Sequence, residues 1–332
     1  MHYRTLGDSD LDISTVIFGA WAIGGWKWGG TDDDDAVTAI QAAIDAGVTT
    51  IDTAPAYGFG HSERIVGQAI RGRRDEVLIA TKCGLRWDGG PEGAHMKTHD
   101  RDGRELYIHR DLSRESILRE VDQSLERLGV DAIDLYQCHW PDEKTPIEET
   151  MGALEECRRR GKIRATGVSN FSTGQMAESC RHADIASDQP RYNMLQREAE
   201  LDVLPFCREH GLGVICYSPL AQGILTGKVS MDREFEGDDV RNKNPLYRSG
   251  NRRRALDLLE QLRPIAEGYG KTLAQLAINW TIHRPGVTAA IVGARRPEQV
   301  RENAGGAGWQ LEHADQDRVT AILDEMGYAP GN

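Results

Sequence analysis

Short apolar runs alternate with amphipathic stretches from one end of the chain to the other. TVIFGAW (15–21), VTTIDTA (48–54), EVLIATK (76–82), AIDLYQCHW (132–140), IRATGVSN (163–170), IASDQP (185–190), LGVICYS (212–218) and TAAIVGARR (288–296) read as strands. Between them apolar positions recur at helical spacing. Ala36, Ile40, Ala43 and Ile44 share one face ahead of Gly47, and Ile117, Val121, Leu125 and Leu128 share another. SERIVGQAIRG (62–72) reads as a short helix. Thr145-Pro146-Ile147-Glu148 offers a hydroxyl N-cap, a proline at the first helical position and a glutamate to complete a capping box. Ser172 with Gln175, and Thr272 with Gln275, repeat that signal. A hairpin around YRTLGDSDLDI, turning at Gly7-Asp8-Ser9, precedes the first run, and a polar insertion fills Cys83–Asp111.

Eight strand-like runs, each followed by a helix candidate, predict parallel strands that close into a barrel. The fold class expected is α/β, a (β/α)8 TIM barrel with an N-terminal β-hairpin and a C-terminal capping helix. That helix, around ADQDRVTAILDEMG (314–327), is expected to pack across the barrel. A doubly wound open sheet is the rival. No internal repeat, low-complexity tract or Ser/Gly linker divides the chain, so residues 1–332 read as a single domain.

Composition narrows the partners. A net charge of −12 opposes nucleic acid and anionic membranes, which need a basic footprint. No apolar run approaches the ~18 residues of a membrane span. The N-terminal MHYRTLGDSDLDIS lacks the apolar core of a secretory signal. Six scattered cysteines with no C-x-x-C read as reduced thiols, which points to the cytoplasm.

Barrel chemistry is built at the C-terminal ends of the strands, and there the residues are out of character for a core. Asp52 ends the second run and Tyr57 follows it; Lys82 ends the third and His139 the fourth. The later runs end on Ser169-Asn170, Gln189, Tyr217-Ser218, and Gly293 with Arg295. Each has a bland reading. Asp52 and Lys82 could be a plain buried ion pair, His139 a satisfied core histidine, Tyr57 a packing ring. Together they make chemical sense. A lysine ammonium lowers a phenol's pKa, a carboxylate holds the lysine, and an imidazole hydrogen-bonds a substrate oxygen. Such a set hands a proton to a developing alkoxide, which is half of a carbonyl reduction. The other half is hydride, which implies a nicotinamide cofactor.

The stretches IDTAPAYGFGHSE, IATK, YQCHWPD, GKIRATGVSNF, YSPLAQGILTGK and IVGARRPEQVRENAG resemble the aldo-keto reductases across essentially the whole chain. FEGDDVRNKNP and WGGTDD are similar to the bacterial myo-inositol-operon (general stress) reductases, and a more distant resemblance is to potassium-channel β-subunits. The resemblance implies that Tyr57 is the general acid, tuned by Lys82 and Asp52, with His139 orienting the carbonyl. It implies that Ser169, Asn170 and Gln189 hold the nicotinamide amide while Tyr217 stacks on its ring. Ser218, Pro219, Leu220, Gln222 and Lys228 would line the pyrophosphate, with Arg241 in a covering segment. Gly293, Arg295, Gln299, Glu302 and Asn303 would bind the adenosine end, and Gly19, Ala20 and Trp21 the ribose side and substrate mouth. Independently, Arg295 and Arg296 precede Pro297, a candidate helix start, and suit a 2′-phosphate. NADP(H) is therefore expected over NADH, with a small-molecule aldehyde, ketone or sugar as substrate.

Other signals are weaker. Gly58-Phe59-Gly60-His61-Ser62-Glu63 falls one glycine short of a dinucleotide fingerprint. His95, His99 and His109 lie in the insertion without companion carboxylate spacing, so no metal is expected. Cys83 and Cys138 read as buried inert thiols pointing away from the mouth. Arg241–Arg254 carries six basic and no acidic residues, with Asn251 as a candidate N-cap, and is expected to close over cofactor phosphates. Two alternatives remain open: an NADPH-binding redox-sensing subunit with negligible turnover, and an aldolase using Lys82 as a Schiff base.

Overall fold

Leu6, Leu11 and Ile13 of the first hairpin are apolar on one face only, and that face needs a cover. The computed structural model, which describes residues 1–331, provides it. Strands β1 (Tyr3–Thr5) and β2 (Asp12–Ser14) pair antiparallel. The three side chains pack with Ile17, Leu135, Ile215 and Ala289 from the barrel interior. The hairpin thus plugs one end of the barrel. Gly7 makes the turn with φ 55°, and a Cβ there would sit 2.5 Å from the Ala186 carbonyl oxygen.

The barrel strands are β3 (Val16–Gly19), β4 (Thr50–Asp52), β5 (Leu78–Cys83), β9 (Ile133–Cys138), β10 (Ile163–Ser169), β11 (Ile185–Gln189), β12 (Gly213–Tyr217) and β13 (Ala289–Gly293). Each pairs in parallel with its neighbours in that order, and β13 returns to β3 to close the ring. Helices α1 (Asp33–Asp45), α2 (His61–Ala69), α3 (Arg114–Leu128), α4 (Ile147–Arg159), α5 (Thr173–His182), α6 (Val203–Glu209), α7 (Ser249–Gly268), α8 (Leu273–Ile282), α9 (Pro297–Ala304) and α10 (His313–Glu325) flank it. The last of these packs against α7. The polar insertion folds as an antiparallel sheet of β6 (Leu85–Arg86), β8 (Glu105–Arg110) and β7 (Met96–His99). Among the described residues no helix is long and apolar enough to cross a membrane.

The capping boxes at Ser172/Gln175 and Thr272/Gln275 both form. The one expected at Thr145 does not. Pro146 is the N-cap of α4, because the Thr145 hydroxyl donates to Asp142 Oδ2 at 2.7 Å instead. Asn251 is not an N-cap either. α7 starts two residues earlier, and Asn251 donates to the Pro245 carbonyl from inside its first turn.

On β11, Gln189 and Ser187 face the barrel, so alternation turns Asp188 outward, toward Cys207 and Cys216. Among the described residues neither Asp188 carboxyl oxygen has a well-formed hydrogen bond, and burial, opposed only by the nearby Gln189 backbone N–H, pushes the group up to about 8 from an ordinary 3.8. The folded state therefore holds this proton more tightly than the unfolded chain. Stability should fall as pH rises through the window between those two values. Asp188→Asn should flatten that slope in thermal unfolding followed across pH, leaving a smaller one from buried Glu120, which is raised to about 7. An unchanged slope would contradict this.

Candidate active site

Asp52 occupies the last position of β4, where its neighbours Thr50 and Ile51 are buried, and it is buried as well. A carboxylate there needs a partner, and Lys82 near the end of the neighbouring strand β5 supplies one. Lys82 Nζ donates to Asp52 Oδ1 at 2.7 Å, to the Thr53 carbonyl at 2.9 Å and to the Tyr57 hydroxyl at 3.3 Å. Lys82 has no exposed surface. The His139 ring lies edge-on to Tyr57, with centroids 5.8 Å apart and planes at 83°. On the other side Trp21 stacks on Tyr57, with centroids 6.0 Å apart. The four polar tips of β4, β5 and β9 and their following turns therefore meet at one spot.

The turn that aims Tyr57 is built tightly. Gly58, Phe59 and Gly60 all have positive φ. A Cβ on Gly58 would lie 2.2 Å from the Gly24 carbonyl oxygen. Gly58→Ala should therefore cost on the order of 1–3 kcal/mol of backbone strain, and more from the clash. Denaturant unfolding measures it; stability within error of wild type would contradict the close approach.

A second ring of residues surrounds this centre. Ala20, one residue past Gly19, donates its N–H to the Asp52 carbonyl at 2.8 Å. Ser169 Oγ donates to the Gln189 carbonyl at 2.8 Å. Asn170, at φ 61°, donates to His139 O and Ser169 Oγ and accepts from the Tyr217 hydroxyl at 3.0 Å. Gln189 Nε2 points inward to Asp52 Oδ2 at 2.8 Å. After β12 the chain turns through Ser218, Pro219, Leu220, Ala221 and Gln222, with Ser218, Ala221 and Gln222 at positive φ. Such strain concentrates at ligand clamps. Gly293 ends β13 exposed and without a side chain, and Asn303 donates to its carbonyl at 3.2 Å.

The matching family model, described as the aldo/keto reductase family, spans residues 15–324. The chain belongs to the aldo-keto reductase family. It is 42% identical over 327 residues to the aldo-keto reductase YhdN of Bacillus subtilis (strain 168), covering 98% of this chain and 94% of that protein. It is 38% identical over 330 residues to the NADH-specific methylglyoxal reductase of Escherichia coli (strain K12), with 98% of each covered. A probable voltage-gated potassium channel β-subunit of Arabidopsis thaliana matches at 37% over 321 residues, with 91% and 90% covered. The solved glycerol dehydrogenase AKR11B4 of Gluconobacter oxydans superposes with a TM-score of 0.88 at 40% identity, covering 99% of this chain and 97% of that one.

A nicotinamide cofactor, which this family uses, brings a flat amide-bearing ring and a diphosphate tail. The residues here fit that group. Tyr217 offers a half-buried ring, Gly293 leaves room, and cationic donors lie beyond the strained turn. Those cations are not idle. Lys228 Nζ pairs with Glu302 at 2.5 Å. Arg241 is gripped by Asp239, at 2.8 Å from Nε and 2.6 Å from Nη2, and lies over Phe235 and Trp28. Arg295 donates to the carbonyls of Trp28 and Gly30, at 2.5 and 3.3 Å, while Gln299 accepts from its backbone N–H. The segment at Arg241 is thereby locked to the loop after β3, and Val240 N donates to Lys27 O at 2.9 Å.

The electrostatics differ from expectation at one group. Tyr57 is not lowered by Lys82. Burial, and then the Asp52 charge, hold its phenol well above the ordinary 10. Burial lowers the Lys82 ammonium, opposed by Asp52 and more weakly by Glu63. Burial and the Lys82 charge push His139 well below the ordinary imidazole value, so its ring is neutral at pH 7.

Sequence reading missed Gln137, whose amide reaches Asp52 Oδ2 at 3.4 Å and Gln189 at 3.2 Å. Alternation from His139 would have found it, since residues two apart on a strand share a face. It also gave no role to Asp239, which lies within FEGDDVRNKNP and grips Arg241. A cavity of about 480 Å³ lies elsewhere, behind Trp87 between α2 and α3, and is lined by Arg64, Arg86, Arg119 and Arg127.

Proposed function

We propose that this chain, residues 1–332 acting as one domain, is an NADPH-dependent reductase of aldehyde and ketone carbonyls, sugars among them. Tyr57 gives the proton. The observation that carries the reading is the Tyr57 hydroxyl 3.3 Å from a lysine that is itself 2.7 Å from a buried carboxylate. A nicotinamide supplies the hydride when bound. Tyr57 keeps its proton at neutral pH because its phenolate is disfavoured by burial and by Asp52. As negative charge grows on the substrate oxygen, Lys82 beside the phenol stabilises the phenolate that remains. Asp52, fixed by Gln189 and Gln137, keeps Lys82 in place. Neutral His139 donates a hydrogen bond to the carbonyl oxygen and orients it. Asn170, Ser169, Gln189 and Tyr217 would hold the nicotinamide, Ser218–Gln222 with Lys228 and Arg241 the diphosphate, and Gly293–Asn303 the adenosine end. The substrate is a small molecule, and six free thiols support a cytoplasmic setting.

Steady-state cofactor consumption over a panel of aldehydes, with the alcohol product identified, tests the reading. The channel-subunit relative keeps a second one in view. Tight NADPH binding with no turnover on any carbonyl would favour a redox-sensing subunit.

Cofactor choice rests on the start of α9, where Arg296 is the N-cap, Pro297 the first residue, and Arg295 lies just outside. The Escherichia coli relative named for NADH makes this a real test. Arg295→Gln should raise the NADPH dissociation constant more than that of NADH. Equal losses would mean that Arg295 serves only to hold Trp28 and Gly30.

A further inference from the structure

We propose that the insertion sheet gives the substrate channel an anion-binding wall, so that the preferred carbonyl substrate carries a carboxylate or phosphate away from its reacting carbon. This rests on the reductase reading and names its substrate class. Met96 on β7 pairs with Ile108 on β8, and Ile108 and Arg110 share a face by alternation. Ile108 is 1% exposed, so this face is turned inward. Its position is fixed from the mouth side, where Thr98 accepts from Trp26 Nε1 at 3.0 Å.

Two cations, Arg110 on this wall and Lys27 on the loop that covers it, form no ion pair among the described residues. The Arg110 guanidinium lies 5.2 Å from the ring centroid of Trp140, which follows His139 in sequence, and among the described residues its one side-chain hydrogen bond goes to His95 Nε2 at 3.4 Å. Its Nε is buried without a hydrogen-bond partner among the described residues. Lys27 Nζ sits 4.4 Å over Trp26 and 3.3 Å from Met96 Sδ. The nearby Asp238 carboxylate is taken by the Lys27 backbone N–H at 3.0 Å. In a chain of net charge −12, a half-buried arginine held on an aromatic face with no ion pair is unusual, and Lys27, though it feels the Asp238 charge, forms no ion pair among the described residues either. Arginine in that setting is suited to a planar or tetrahedral oxyanion.

The test compares matched substrates with NADPH: succinic semialdehyde against butyraldehyde, and glyceraldehyde 3-phosphate against glyceraldehyde. Wild type should favour the anionic member of at least one pair by about tenfold or more in kcat/KM, the scale of one charge-assisted hydrogen bond. The pair that shows it identifies the anion. Arg110→Gln should bring that ratio toward one, chiefly through KM, and Arg110→Lys should restore part of it. No preference in either pair, or an equal loss on both members in Arg110→Gln, overturns the anion wall while leaving the reductase reading intact. No cofactor consumption with any of the four removes the reductase reading, and the wall with it.

Discussion

Tyr57→Phe should lower turnover by ~10²–10⁴-fold, the scale of lost general acid catalysis, while cofactor still binds. The ring keeps its place in this variant, because Trp21 stacking and the Gly58–Gly60 turn hold it without the hydroxyl. What is lost is, among the described residues, the one hydroxyl within hydrogen-bond reach of Lys82. His139 cannot replace it, because a neutral imidazole flanked by a lysine charge is a poor acid at pH 7. Turnover within about threefold of wild type would mean that another group protonates the alkoxide.

Asp52→Ala should cost about 3–5 kcal/mol of stability, the scale of breaking a buried ion pair by removing one partner. Lys82 would then face the barrel interior with the Thr53 carbonyl, the Tyr57 hydroxyl and no carboxylate. Its ammonium, already lowered by burial, would lose most of what opposes the shift, with only the weaker Glu63 charge remaining. The amides of Gln189 and Gln137 would lose their acceptor at the same time. Replacing both partners, as in Asp52→Ala with Lys82→Met, should recover much of the stability but no activity. Denaturant unfolding separates these outcomes. A loss below about 1 kcal/mol in the single variant would show that the pair is solvated in solution, as surface pairs are.

The barrel was legible because its strands are buried on both faces and read as apolar runs of the right length. The residues that break character, Asp52, Lys82 and His139, stand at or just beyond the ends of β4, β5 and β9 and so announced themselves. The insertion was not legible as a sheet. MKTH and ELYIHR alternate, but their apolar positions are few, and what makes them strands is the cover that Trp26 and Lys27 provide from a distant loop. Thr145 shows the same limit at a single residue. Its capping signal was sound locally, and a competing acceptor three residues earlier won. The engagement of Arg241 by Asp239, and the direction of the Tyr57 shift, depend on burial and contact that no spacing encodes.

The central claim is that Tyr57 gives the proton and neutral His139 only orients the carbonyl. Single-turnover alcohol formation by the NADPH-loaded protein, followed across pH, tests it most directly. A phenol raised by burial stays protonated through the neutral range, so the rate should be flat from about pH 6 to 9 and fall only in alkali as the phenol ionises. A rate that falls between about pH 6 and 7.5, as an imidazolium loses its proton, would make His139 the acid and contradict the account.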